Sequence, residues 1–196
     1  MLSLTLMWDT LMSTYQLVID SFKKRAVVSV LQVVFASLII GLAAQIRIPL
    51  FFTPVPITCQ TFAVMLAGAL LGSKKGAFSV LLYLVEGCVG LPVFSNASFG
   101  IACLFGPTGG YLVGFVVQAY LIGKFLERRE LGAFKTLAIL LFSCIIQMGI
   151  GVLWLAHFVG LQNVMVMGFY PFIPGEAFKA FAVMSFLKCK SRIKRA

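Results

Sequence analysis

Uncharged apolar runs recur along the chain, separated by short basic turns or by segments rich in proline and glycine. Residues 26–46 form a run of 21 between Arg25 and Arg47, long enough as a helix to cross a hydrocarbon core about 30 Å thick. A second helix is predicted over 58–72, a third over 77–90, a fourth over 109–126, a fifth over 136–159 and a sixth from 175 towards 187. Between the first two lies Ile48-Pro-Leu-Phe-Phe-Thr-Pro-Val-Pro-Ile57, whose three prolines forbid regular helix and favour extended backbone. The third-to-fourth linker, Gly90-Leu-Pro-Val-Phe-Ser-Asn-Ala-Ser-Phe-Gly100 and then Gly106-Pro-Thr-Gly-Gly-Tyr111, is apolar yet full of helix breakers. Backbone of that kind is tolerated at membrane depth only when packed in protein or lining a cavity.

Composition turns this pattern into a solvent. Of 196 residues 61% are hydrophobic and 11% charged, and the mean hydropathy is +1.04. Such a chain suits the bilayer, and long runs rather than short alternating segments choose helices over a barrel. The fold class expected is an all-α integral membrane protein, a six-helix bundle with structured extracytoplasmic loops. One membrane domain over 26–187 follows an N-terminal segment, 1–25, and precedes a basic tail, 188–196. Residues 1–22, with Trp8, Asp9 and Tyr15, lack a basic n-region and read as an interfacial helix or a poorly ordered tail, not a signal peptide.

The net charge of +10 invites a nucleic-acid reading, which its distribution opposes. Fourteen of the 16 Lys and Arg fall in four clusters around 23–25, 74–75, 124–135 and 188–195; only Arg47 and Lys179 lie elsewhere. Placed in the cytoplasm these clusters obey the positive-inside rule. Both termini are then cytoplasmic, and the three Pro/Gly-rich linkers share the opposite face of the membrane, where a substrate arrives. The five scattered cysteines contain no Cys-x-x-Cys pair and read as small hydrophobes rather than a disulfide or zinc framework. No phosphate-binding Gly-x-x-x-x-Gly-Lys-Ser/Thr motif is present, and the lone His157 offers no metalloprotease pair. No catalytic or metal-binding residue is therefore assigned.

Glu176 and Lys179, three residues apart in the sixth segment, share a helix face. Ionisable groups at membrane depth usually face protein or a wet cavity. A carboxylate there accepts ligand N–H groups, and an ammonium donates to a carbonyl or carboxylate. The plainer alternative, a snorkelling interfacial ion pair, contributes roughly 0.3–0.5 kcal/mol, too little to account for the placement. Asn96 offers an amide to a polar ligand or serves as a turn residue, with nothing to choose between them. Thr58 reads as a helix cap or a ligand contact, and Gln60 as a cavity residue. Tyr111 stacks on a ligand or joins an aromatic belt, the belt being favoured. Glu86 reads as a coupling carboxylate or as an acid near the interface facing water, the latter being favoured. On the first helix Ser37-x-x-x-Gly41 is a small-residue pair that lets another helix approach.

Thr53-Pro-Val-Pro-Ile-Thr-Cys-Gln-Thr61, Leu66-Ala-Gly-Ala-Leu-Leu-Gly72, Gly90-Leu-Pro-Val-Phe94, Gly106-Pro-Thr-Gly-Gly-Tyr-Leu-Val-Gly114 and Pro171-Phe-Ile-Pro-Gly-Glu-Ala-Phe-Lys179 occur in this order. Together they resemble the BioY family, the biotin-specific substrate-binding (S) components of energy-coupling-factor (ECF) transporters, over about residues 26–187. The resemblance implies biotin capture from outside the cell and no enzymatic activity. It also implies a transmembrane coupling (T) protein and two ATPase subunits as partners, with ATP hydrolysed there and no cofactor on this chain. It implies that Glu176, Lys179 and Asn96 contact biotin. Two departures stand out. The family's usual acid in the last motif is Asp, here Glu176, and its Ala-x-x-x-Ala docking pattern on the first helix is here Ser37-x-x-x-Gly41. Glu86 also stands where an apolar residue is usual. Rival readings are an S component for another vitamin, a solitary secondary carrier and an intramembrane enzyme; the last lacks paired carboxylates, clustered histidines or a serine with a base.

Overall fold

Helices account for most of the chain in the structure, a computed structural model. It describes the backbone of residues 2–127 and 131–193 and the side chains of residues 24–127, 131–190 and 193. In chain order come α1 (Leu2–Gln45), strands β1 (Arg47–Ile48) and β2 (Ile57–Thr58), α2 (Gln60–Leu71) and α3 (Ser73–Cys88). There follow α4 (Ala102–Phe105), α5 (Gly109–Leu126), α6 (Ala133–Val159), α7 (Val164–Gly168) and α8 (Ile173–Ile193). Single 3-10 turns occupy Ser95–Ala97 and Tyr170–Phe172.

The chain divides into two compact units, residues 1–32 and 33–196. In the first, which is helical throughout its described part, the apolar side chains of Val27, Val28, Val30 and Leu31 are exposed, and the Ser29 hydroxyl bonds back to the Arg25 carbonyl. Segment 1–22, read as an interfacial helix or a tail, is helical over 2–22; Trp8, Asp9 and Tyr15 have no described side chains.

In the second unit α5 is the central element, packed against α2, α3, α4 and α6, while α8 lies against α2 and α6. Small residues permit this closeness. A Cβ on Gly68 of α2 would lie 2.5 Å from the Ala119 carbonyl oxygen of α5, and one on Gly114 of α5 would lie 2.9 Å from that of Gln147 in α6. Packing and close backbone approach hold helices together where lipid is as apolar as leucine. Within 33–45, Ser37, Ile40, Gly41 and Ala44 are buried while Phe35, Leu38 and Leu42 are exposed. One stripe at helical spacing therefore packs, and the rest of that surface is greasy. A soluble protein has no use for so much exposed apolar side chain.

Among the described residues, three helices are long and apolar enough to cross a membrane: Lys24–Gln45, Gly109–Leu126 and Ala133–Val159; Gln60–Leu71 is apolar but shorter. The helix expected over 77–90 begins earlier, at Ser73. The reason lies across the bundle: the Glu127 carboxylate accepts the Ser73 amide at 2.8 Å and the Ser73 hydroxyl at 3.1 Å, satisfying donors that a helix start leaves orphaned. The last helix starts at Ile173, two residues before its expected Gly175, because Pro174 in a first turn loses no intrahelical bond.

Candidate functional site

A cavity of about 390 Å³ lies in the second unit, walled by the starts of α2, α5 and α8, the middle of α6 and the irregular segments around β1–β2 and Ser95–Ala97. The prolines predicted to prevent helix instead let the chain pair back on itself: Arg47 and Ile48 lie opposite Thr58 and Ile57. Pro54, Val55 and Pro56, within this excursion, line the cavity with Phe94, Phe115 and Phe172. The wall is predominantly apolar.

Its polar groups converge at the start of α8. The Lys179 ammonium donates to Glu176 Oε1 at 2.7 Å and to Thr61 Oγ1 at 2.8 Å. The Thr61 hydroxyl donates to the same Glu176 oxygen at 2.7 Å. Glu176 is 6% exposed, and its second oxygen meets only the Cys144 thiol, a weak donor, at 3.7 Å. The carboxylate thus spends one oxygen on holding the amine and keeps the other under-used. Beside this cluster Gln60, also buried, donates to the Tyr83 hydroxyl at 2.7 Å and accepts from Thr58 at 3.1 Å. Arg47 brings a second cation to the wall.

A mostly apolar hollow of this size with a few convergent polar groups is the ordinary form of a small-molecule site. The BioY family model matches residues 14–195. The chain belongs to the BioY family. It is 41% identical over 140 residues to a probable biotin transporter BioY of Pyrococcus horikoshii, covering 71% of this chain and 82% of that protein. With the biotin transporter BioY of Rhizobium etli it shares 37% identity over 160 residues, 77% of this chain and 86% of the relative. Among solved structures it is similar to the 2.1 Å crystal structure of the S-component for biotin from an ECF-type ABC transporter. There the TM-score is 0.78 and the identity 31%, over 88% of this chain and 94% of that one.

In this BioY family member Glu176, Lys179, Gln60, Thr58 and Tyr111 all line the cavity. Thr58 also accepts the Gln60 backbone N–H at 3.3 Å, but the N-cap position of α2 is Cys59, so Thr58 is a wall residue one position before the cap. Tyr111 is buried, which overturns the favoured aromatic belt: its ring borders the cavity and its hydroxyl donates to the Gly168 carbonyl at 2.7 Å. Asn96 is not on the wall. It takes a left-handed conformation (φ 67°) and accepts Arg47 Nη2 at 2.6 Å, so its turn-forming and side-chain capacities are both in use.

Ser37 and Gly41, expected as a docking surface for a partner, are buried by their own chain. The Ser37 hydroxyl donates to Glu86 Oε1 at 2.9 Å, and a Cβ on Gly41 would lie 3.3 Å from Val93. The small-residue pair serves internal packing. Glu86 consequently does not face water; its other oxygen is buried without a hydrogen-bond partner.

Thr61, Gln147 and Ser95 are among the polar wall residues not singled out in the sequence. Gln147 had a readable signal, an amide in the middle of a long uncharged run. Arg47 had one too, as a cation outside every basic cluster. Thr61 and Ser95 had none, because a hydroxyl beside a turn is ordinary.

Proposed function

We propose that this chain captures biotin at the outer face of the cytoplasmic membrane as the S component of an ECF-type transporter. The observation that carries the reading is the acid–hydroxyl–amine cluster of Glu176, Thr61 and Lys179 set in a predominantly apolar cavity. Biotin is complementary to it. The under-used oxygen of Glu176 accepts a ureido N–H, and Lys179 donates to the ureido carbonyl. The apolar bicycle fits against Tyr111, Phe115 and Phe172, and the valerate carboxylate meets Arg47. Gln60 and Thr58 border the same space, with Asn96 acting through Arg47.

In this reading α1, α2, α3, α5, α6 and α8 are six membrane spans. The basic turns and both termini lie in the cytoplasm, and the proline- and glycine-rich segments form the outer roof. Uphill transport depends on a transmembrane coupling protein and two ATPase subunits, which hydrolyse the ATP; this chain supplies recognition and no catalysis.

Calorimetric titration of the detergent-solubilised chain with biotin tests the reading. Charge-assisted hydrogen bonds contribute about 1.5–3 kcal/mol, so Lys179→Ala is expected to weaken binding by about 10- to 100-fold. Thiamine and riboflavin are expected not to compete. Unchanged affinity in correctly folded Lys179→Ala protein would refute the site, and tighter binding of another vitamin would refute the ligand.

A further inference from the structure

The turn at Ser95–Ala97 is held more firmly than a linker requires. Phe94 and Ser98 pair across it, with the Phe94 amide donating to the Ser98 carbonyl at 3.1 Å. Gln45 closes it from α1, donating to the Phe94 carbonyl at 3.1 Å and accepting the Ala97 amide at 2.9 Å. Both Asn96 and Ala97 have positive φ, 67° and 52°, an arrangement that costs free energy for residues with a Cβ and persists only when the surroundings fix it. Arg47 grips the Asn96 side chain from β1.

This turn places one hydroxyl-bearing residue on the cavity wall without giving its hydroxyl a partner. Ser95 lines the wall, and its Oγ is buried with no hydrogen bond. Ser98, three residues on and also on the wall, spends its hydroxyl on the Ser95 carbonyl at 2.8 Å. A buried hydroxyl left without a partner is destabilising, and the pinned backbone keeps Ser95 at the wall, where rotation of its side chain reaches only what the cavity holds. The missing acceptor is one that an occupant of the cavity would bring.

We infer that Ser95 is a ligand-contacting residue whose hydroxyl donates to the carboxylate of the bound acid, beside the Arg47 guanidinium, and so selects for a ligand with a free carboxyl end. The inference rests on the biotin reading. Arg47 supplies the charge, and Ser95 supplies a directional donor that a neutral tail leaves unanswered. Discrimination of this sort is stronger than apolar fit provides, since the wrong ligand leaves a buried polar group unpaired.

The test compares the solubilised wild-type chain with Ser95→Ala, titrating each with biotin and with a bicyclic ureido analogue whose tail is a plain alkyl chain. Loss of a hydrogen bond to a charged acceptor predicts biotin binding weaker by about 10- to 100-fold in the variant. Binding of the carboxyl-less analogue should change less than about twofold. The ligand-free unfolding temperature is expected to stay level or rise, because the hydroxyl removed had no partner to lose, while the shift produced by biotin shrinks. Wild-type biotin affinity in Ser95→Ala overturns the inference, as does an equal loss for both ligands. A wild-type chain that binds neither compound overturns the biotin reading itself along with it.

Discussion

Thr61 takes part in two of the three hydrogen bonds that tie the polar cluster together, accepting from Lys179 and donating to Glu176. Its hydroxyl transmits order between an acid and an amine that are already neighbours on one helix turn. Thr61→Val keeps the side-chain shape and removes both bonds. Both bonds are to charged groups, of the kind that contributes about 1.5–3 kcal/mol, so biotin affinity should fall about 10- to 100-fold in titration calorimetry, whereas Thr61→Ser should stay within about threefold. Equal losses in both variants would mean that the methyl group, not the hydroxyl, matters. The acid and the amine were legible in the sequence because charge at membrane depth demands a reason. The threonine was not, since hydroxyls are inexpensive anywhere near a helix start. Glu86 shows the limit of the same logic: its charge was conspicuous, but only the fold reveals Ser37 as its partner.

At the scale of elements, segment interiors were readable and their ends were not. The helix predicted over 109–126 coincides with α5 because Gly-Gly opens it and apolar spacing continues to Leu126. The start of α3 depends on Glu127, 54 residues away in the chain, and no local propensity carries that information. Strands of two residues, β1 and β2, are likewise set by the pairing of Arg47 with Thr58 rather than by pattern. Two consequences are measurable by thermal unfolding in detergent. Glu127→Ala removes the acceptor at the α3 start and should lower stability by about 1 kcal/mol, as loss of a cap does. Gly68→Val puts branched carbon where the Ala119 carbonyl oxygen already stands. Overpacking of that kind costs about 3 kcal/mol, and the α2–α5 contact is backbone, which cannot swing aside. The valine variant should therefore be the more damaging of the two; the reverse order would show that the two helices are free to part.

For the second unit as a whole, the contacts fix which helix ends share a side. Thr61 and Glu176 bring the starts of α2 and α8 together at the cavity, and Trp154 near the end of α6 bonds the Gly106 carbonyl just before α5. Away from the cavity, Ser73 meets Glu127, and Lys188 near the end of α8 bonds the Leu131 carbonyl just before α6. Lys74, Lys75 and Lys124 belong to that second side, and the proline-rich excursion to the first. A helix of 12 residues such as α2 rises about 18 Å, less than a hydrocarbon core of about 30 Å. On the proposed six-span reading the cavity above its start is recessed below the membrane surface, where irregular backbone must be sheltered by protein. Basic turns favour the cytoplasm, and in the orientation we propose the cavity side faces the exterior. Single cysteines placed on a cysteine-free background read this directly. Phe51→Cys, on the fully exposed tip of the excursion, should react with a membrane-impermeant maleimide in intact cells. Lys74→Cys, exposed in the first turn of α3, should react only in inverted vesicles. Labelling of Lys74→Cys from outside would turn the cavity towards the cytoplasm, where a chain built to scavenge an external vitamin could not reach it.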